Sequence, residues 1–416
     1  MRSYDVIVLG GGISGVCAAL HLQARGMRVL LVDRAAPGDE ASRANTGILA
    51  RDGFSPLAWP HAPAEILARL LKPAGQMRID LRSLPGAAPF LRAAHVAVQT
   101  GAAARIGRAV APLQAVAAGE HLALARAASA LRFFRRTGWI KIYRHRASYE
   151  ASEEDRHFAR IFGVAYTDLS AADLVRLEPH LVSFDHAGLY WPDTQSVSSP
   201  GGVTKAYARL FRERGGDTEI GKAETLIATR DGWSVRTSRG EASGTRAVIA
   251  LGAGAPAVLS GLGVALPLAT IRGYHRHFRA VSGVTLSRPI TDSDNGYTLT
   301  PMERGLRLVG GHELTRVDRP LRASALQRAE TAARALMPVG AQIEDTPIPG
   351  LRLCMPDGLP VMGNVTAAPG LWLALGNERS SFGLGAAMGR LLAETMTGER
   401  PFTDPAPYSP TRFLSD

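Results

Sequence analysis

Residues 4–34, YDVIVLGGGISGVCAALHLQARGMRVLLVDR, constrain the fold of this chain more than any other stretch. Val6 to Leu9 is a short, largely β-branched apolar run, as a parallel strand covered on both faces requires. Gly10, Gly12 and Gly15 follow as G-x-G-x-x-G. The first glycine permits a tight turn, the second lets a diphosphate reach the backbone, and the third lets helix and strand pack closely. Ile13, Val16, Cys17 and Leu20 recur at helical spacing, so the glycines open a helix whose N-terminal amides face an anion. Val29 to Val32 reads as a second buried strand. It delivers Asp33, 18 residues past Gly15, where a carboxylate can accept hydrogen bonds from both hydroxyls of an adenosine ribose. The pattern predicts a dinucleotide ligand. Asp33 argues against a phosphate on the 2′-hydroxyl, and the adjacent Arg34 leaves that point open.

A chain of 416 residues holds about two or three domains. Mean hydropathy near zero and a charged fraction of 20% describe an ordinary globular protein. No run approaches the roughly 18 apolar residues of a spanning helix. Asp5 and three glycines stand where a secretory signal keeps its apolar centre. The expected location is therefore the cytoplasm, with peripheral contact at the inner face of the cytoplasmic membrane left open. Two cysteines exclude a disulfide framework and a cysteine-rich metal site. Between Arg69 and Arg146 stand 14 basic residues against 2 acidic ones, which accounts for the net charge of +11. Arginines on solvated helix faces explain this excess more simply than a polyanion site does. The region is poor in the aromatics that stack on bases and carries no nucleic-acid motif.

After Asp33 comes a polar loop, PGDEASRANTGIL, whose Ser42, Asn45, Thr46 and Gly47 can run beside an extended cofactor. Prolines 56, 60, 63, 73, 85 and 89 predict short helices joined by turns over 55–95. Residues 102–134 read as two helices divided near Pro112 or Gly119, 138–149 as a strand, 171–177 as a short helix and 203–214 as a longer one. RAVIALGAG at 246–254 is another buried strand running into glycines. Segments 271–278, 296–300 and 306–310 alternate like antiparallel strands, and a helix at 323–336 covers one face of them. The chain closes with LRLCMPDGLPVMG, a strand at 371–375, a glycine-bearing turn at 376–385 and a helix at 386–396. His275 and His277 share one face of their strand, and structural histidines fit that spacing better than a metal site does.

Together, the N-terminal βαβ, the ALGAG strand, the IRGY strand, the PDGLPVMG turn and the closing glycine-rich helix start resemble the D-amino-acid oxidase (DAO) family of flavoproteins over nearly the whole chain, most of all its bacterial D-amino-acid dehydrogenase branch. The resemblance implies an α/β protein: a Rossmann-like FAD-binding domain with a parallel sheet, and a substrate domain of mostly antiparallel sheet plus helices. The expected division is 1–50, 198–265 and 350–416 for the FAD domain, with 51–197 and 266–349 for the substrate domain. It further implies that Gly10, Gly12, Ile13, Ser14, Gly15, Asp33 and Arg34 hold the ADP half of FAD. Ser42, Asn45, Thr46 and Gly47 follow its phosphates and ring. Ala223, Ala250 and Gly252 line the cleft, and Gly383, Leu384 and Gly385 face the flavin. Arg352, ahead of the PDG turn, corresponds to the arginine that holds the substrate carboxylate, with Tyr297 sharing that work and Tyr274 as a wall. The chain departs from the family pattern at Gly376-Asn377, where Gly-His is usual, and at Met355, where threonine is usual.

The chemistry so implied is FAD-dependent oxidative deamination of D-amino acids, with electrons passed to a quinone or carrier protein. The alternatives are an oxidase of glycine, sarcosine or another N-substituted amino acid that uses dioxygen, and a flavin subunit active only beside partner subunits. Cys354 stands too close to the PDG turn for the covalent attachment seen in sarcosine oxidases, so non-covalent FAD is expected. No His/Asp or paired-carboxylate constellation for general-base work stands out, which suits a reaction whose hard step belongs to the cofactor.

Overall fold

The computed structural model describes residues 2–54, 59, 77–97, 102–182, 187–322, 324–376 and 380–414. The prolines at 56, 60, 63 and 73, and the Asn377 departure, lie outside the described residues. Strand Arg2–Leu9, helix Ile13–Gln23 and strand Val29–Asp33 form the expected βαβ unit. Val6 and Val8 enter a core shared with the helices, while Ile7 and Leu9 enter an equally closed core on the other side of the sheet. Double coverage is why the run contains no polar residue.

Strand Arg2–Leu9 pairs in parallel with Val29–Asp33 on one edge and Gly240–Ile249 on the other. Asp217–Ile220 continues the parallel sheet past Val29–Asp33. Gly240–Ile249 is long enough for two partners on its far edge: Gly232–Thr237 runs antiparallel along its first half, and Leu371–Leu375 parallel along its last residues. Five parallel strands therefore present their carboxyl ends together, the edge at which open α/β sheets bind ligands.

A second sheet is built around strand Ala269–Phe278, which lies antiparallel between Gly305–Leu314 and Ile348–Cys354. Tyr297–Met302 and Ile290–Asp292 extend it. Two parallel pairings interrupt the antiparallel pattern: Ile290–Asp292 with Trp139–Tyr143, and Gly305–Leu314 with Met77–Ile79. Helix Ser324–Leu336 covers one face with Leu326, Ala329, Ala333 and Leu336, the stripe its apolar spacing predicts.

Three expectations need correction. Residues 102–134 hold one 26-residue helix, Ala102–Ala127, with Pro112 inside it. Its apolar stripe (Ile106, Val110, Leu113, Ala117, Leu124) is buried against the nucleotide-side helices, and that packing outweighs the hydrogen bond that the proline forfeits. The same contacts carry this helix out of the substrate half, where a 51–197 boundary puts it, and into the core around Ile13–Gln23. Finally, 138–149 is a shorter strand, Trp139–Tyr143, followed by helix Arg146–Ala151.

The closing helix, Gly385–Thr397, crosses Ile13–Gln23 so closely that a Cβ on Gly389 would lie 2.7 Å from the Cys17 carbonyl carbon. Gly119, also helical, has no heavy atom within 4 Å of the same position. Gly389→Ala should therefore lower stability by about 1–3 kcal/mol through overpacking. Gly119→Ala should raise it by up to about 1 kcal/mol through helix propensity. Thermal or denaturant midpoints of the two variants check this opposition of sign.

Candidate active site

Gly10 adopts φ +118°, and a Cβ there would overlap the carbonyl of Ala250. A Cβ on Gly15 would overlap the carbonyl oxygen of Gly10. Strand end, helix and neighbouring strand thus meet backbone to backbone. Gly12 differs. The nearest atom to a Cβ there is Ser42 Oγ at 3.5 Å, and the residue faces a cavity. Gly12 is also the N-cap of Ile13–Gln23, with no side-chain cap and no acidic residue in the first turn. Of the first amides, Ile13 N–H donates to Ser42 Oγ at 2.9 Å. A helix start that its own N-cap residue leaves uncapped, facing a cavity, suits an anion. The Asp33 carboxylate accepts from Gly11 N at 2.5 Å and Arg34 N at 2.6 Å. Burial pushes its pKa up, and the Gly11 amide opposes that shift. Arg34 is paired with Glu40 at 2.5 Å, which offsets its charge at the rim.

One cavity joins Gly10, Gly12, Ile13, Ser14, Asp33, Arg34, Ser42, Asn45, Ala223, Ala250, Gly252 and Arg352. Gly15 lies beneath the turn as packing. Thr46 and Gly47 do not line the cavity. Gly47 instead turns the loop against Val197, and its N–H donates to Asn45 Oδ1 at 2.8 Å. Gly383, Leu384 and Gly385 are also absent from the lining. Gly383 backs onto Leu49, Leu384 is core, and Gly385 sits against Ile13. The cavity is lined there by Ser381 and Phe382, just upstream. Ala374, Leu375 and Gly376 join it too. The repeated Ala-Leu-Gly at 250–252 and 374–376, each at the end of a parallel strand, is the sequence signal that identifies them.

Tyr274 and Tyr297 do not line the described cavity, contrary to expectation. Both belong to the core under helix Ser324–Leu336. The Tyr274 hydroxyl donates to Glu313 at 2.5 Å and accepts from Arg322 N at 2.9 Å. The Tyr297 hydroxyl lies among Asp292 and Arg144, and burial pushes its pKa up. Alternation along strand Ala269–Phe278 turns Tyr274 and Phe278 toward that helix, and His275 and His277 to the opposite face. Cys354 is buried beside Ala269, Ile79 and Phe90, apart from the cavity lining.

Phe382 is held from outside. His121, on helix Ala102–Ala127, bonds the Phe382 carbonyl oxygen through Nε2 at 2.9 Å and stacks on its ring at 5.4 Å. Burial lowers the His121 pKa to about 4, so the imidazole is neutral. Met355 and Gly376 meet as well, since a Cβ on Gly376 would overlap the Met355 side chain. Met355, one of the two departures from the family pattern, therefore packs against the glycine at the end of strand Leu371–Leu375. Asp357 of the PDG turn accepts from Arg412 Nε at 2.8 Å, which anchors the segment that follows Arg352.

Arg352, on strand Ile348–Cys354, lines the cavity together with Leu351 and Leu353. His312 lies close by, and burial, with Arg352 adding to it, lowers the His312 pKa to about 3. The other charged lining residues, Asp33, Arg34, Glu40 and Glu224, cluster around the ends of the paired strands Val29–Asp33 and Asp217–Ile220. An open glycine at an uncapped helix start, with an anchored carboxylate to one side, matches the diphosphate and ribose of a dinucleotide. Among the described residues, no cluster of three or more histidine, cysteine or acidic side chains could hold a metal. No described helix is long and apolar enough to cross a membrane.

A family model described as DAO, FAD dependent oxidoreductase, matches residues 5–395. A D-amino-acid oxidase of Bradyrhizobium diazoefficiens is 29% identical, covering 98% of this chain and 99% of its own. A D-amino acid dehydrogenase of Chromohalobacter salexigens is 27% identical over 99% of this chain and 100% of its own. Among solved structures, glycine oxidase from Geobacillus kaustophilus superposes with a TM-score of 0.77 at 20% identity, covering all of both chains.

The contrast between Gly12 and Gly10 gives a test. Gly12→Val should fold with a near-normal apoprotein melting midpoint yet bind FAD at least about tenfold more weakly, a loss of about 1.4 kcal/mol. Gly10→Val should lower the apoprotein midpoint itself. Flavin fluorescence titration beside thermal melts separates the two.

Proposed function

The chain belongs to the DAO family of FAD-dependent oxidoreductases, and from that premise we propose that it oxidatively deaminates D-amino acids and passes the electrons to a quinone or another carrier. FAD, its cofactor, supplies when bound a two-electron acceptor for the α-hydrogen, leaving an imino acid that water hydrolyses to a 2-oxo acid and ammonia. The observation that carries the reading is Arg352, a guanidinium in the wall of the cofactor cavity on a strand anchored by the PDG turn.

A planar guanidinium binds a carboxylate through two parallel hydrogen bonds, which fixes the rotation of the substrate as well as its distance. With the acid held there, the amine and Cα–H have a defined direction, and orientation of that kind supplies much of the acceleration when a cofactor does the bond-breaking. Leu351, Leu353 and Phe382 add apolar lining that limits water around the pair. His312 is neutral in this setting and leaves Arg352 as the cation that meets the acid. Among the described residues the lining carboxylates lie at the ribose end, so the substrate ammonium would give its proton to solvent rather than to one of them before the α-hydrogen leaves. The similar proteins named D-amino-acid oxidase and D-amino acid dehydrogenase support a D-amino acid as substrate.

Anaerobic mixing of the holoprotein with D- and L-amino acids should bleach the flavin absorbance with D-enantiomers and leave it with L-enantiomers. Bleaching by glycine or sarcosine alone would transfer the proposal to an N-substituted or glycine-type oxidase. Dye reduction in air should exceed hydrogen peroxide release if a carrier takes the electrons. Arg352→Ala should raise the substrate KM about ten- to a hundredfold, the worth of a charged hydrogen-bonded pair, while FAD remains bound.

A further inference from the structure

The loop that carries Ser42 and Asn45 to the cavity is gripped from the antiparallel sheet. Arg307, buried on strand Gly305–Leu314, donates from Nη1 to the carbonyl oxygens of Arg43 at 2.9 Å and Asn45 at 2.6 Å. Its Nε donates to His277 Nε2 at 3.0 Å. His277, across the strand pair from Arg307, donates from Nδ1 to Glu344 at 2.9 Å, and its backbone N–H donates to the same carboxylate at 2.7 Å. Glu344 thus orients His277, His277 orients Arg307, and Arg307 holds two loop carbonyls. The bond order requires neutral His277, with its proton on Nδ1 and a lone pair on Nε2. Burial, followed by Arg307, lowers its pKa and favours that form.

A second contact acts on the same loop. A Cβ on Gly350 would come within 2.8 Å of Ala44 Cβ, and Gly350 lies two residues from Arg352 on one strand. The loop is held between Arg307 and the strand of the carboxylate-binding arginine. Its Ser42 in turn bonds the Ile13 amide at the start of the diphosphate-facing helix.

We propose that Arg307, oriented by His277 and Glu344, is a positioning residue for FAD: it fixes the 42–47 loop from the substrate-side sheet, so cofactor affinity depends on a side chain outside the cofactor cavity. The inference rests on the FAD reading of that cavity, and not on which amino acid is oxidised. A buried guanidinium bonded to carbonyls is worth more than a neutral hydrogen bond, and its loss leaves both carbonyls unpaired.

The test is titration of the apoproteins of wild type, Arg307→Met, His277→Phe and His277→Gln with FAD, followed by flavin fluorescence, beside thermal melts of the same apoproteins. Arg307→Met and His277→Phe should raise the FAD Kd at least about tenfold. His277→Gln, which keeps an acceptor for Arg307 and a donor for Glu344, should restore most of the affinity. Glu344→Gln, altered at the outer, partly exposed end of the chain of bonds, should give a smaller rise and carries the test if Arg307→Met does not fold. A Kd unchanged in the folded variants would overturn the proposal. So would equal losses in His277→Phe and His277→Gln, since these indicate packing alone. A wild-type chain that binds no FAD would overturn the cofactor reading itself, and this inference with it.

Discussion

The site depends first on a contact between two pieces of backbone. Gly10 approaches the Ala250 carbonyl with no room for a side chain, and Gly15 does the same to Gly10. Those contacts bring the ends of two parallel strands and the start of one helix together, so that the helix amides open onto the cavity. Any side chain at either glycine separates the elements whose junction is the binding site. Gly12 serves a different need, since its missing side chain leaves space for a ligand rather than for protein. One motif therefore combines two structural glycines with one that faces the cavity, and the distinction comes from what each would touch.

The second requirement is that the cofactor-binding edge and the substrate-side sheet keep a constant relation. The proposed role of Arg352 requires a set distance from the glycine turn, and Arg352 and that turn belong to different sheets. The loop at 42–47 connects them physically. It bonds the first helix through Ser42, receives Arg307 at two carbonyls and rests against Gly350. Helix Ala102–Ala127 supports the other wall of the cavity, where His121 holds Phe382. Both supports are buried and use neutral imidazoles, which accept or donate without the cost of an additional buried charge.

The sequence reveals local order well and facing poorly. The opening 31 residues, from Tyr4 to Arg34, are legible because every element there is specified by neighbours in the chain: an apolar run, three glycines, a helical stripe and an acid. Arg352, singled out by its place before the PDG turn, does line the cavity. Tyr274 and Tyr297 are misread because strand alternation tells which residues share a face, but not which face meets the cofactor. Helix Ala102–Ala127 is misread for a related reason, as burial of a long stripe carries it across a proline that local propensity treats as a break. Glu344 is invisible as the partner of His277, since nothing near residue 277 in the chain predicts a carboxylate 67 residues away.

The central claim is that the amides after Gly12 hold the FAD diphosphate while Arg352 holds the substrate acid in the same cavity. A crystal structure of the holoprotein with a small carboxylate such as benzoate tests it most directly. The account predicts diphosphate oxygens within hydrogen-bond distance of the amides at 12–14 and the carboxylate paired with the Arg352 guanidinium beside the flavin. A carboxylate bound elsewhere, with Arg352 turned away from the ring, would contradict it.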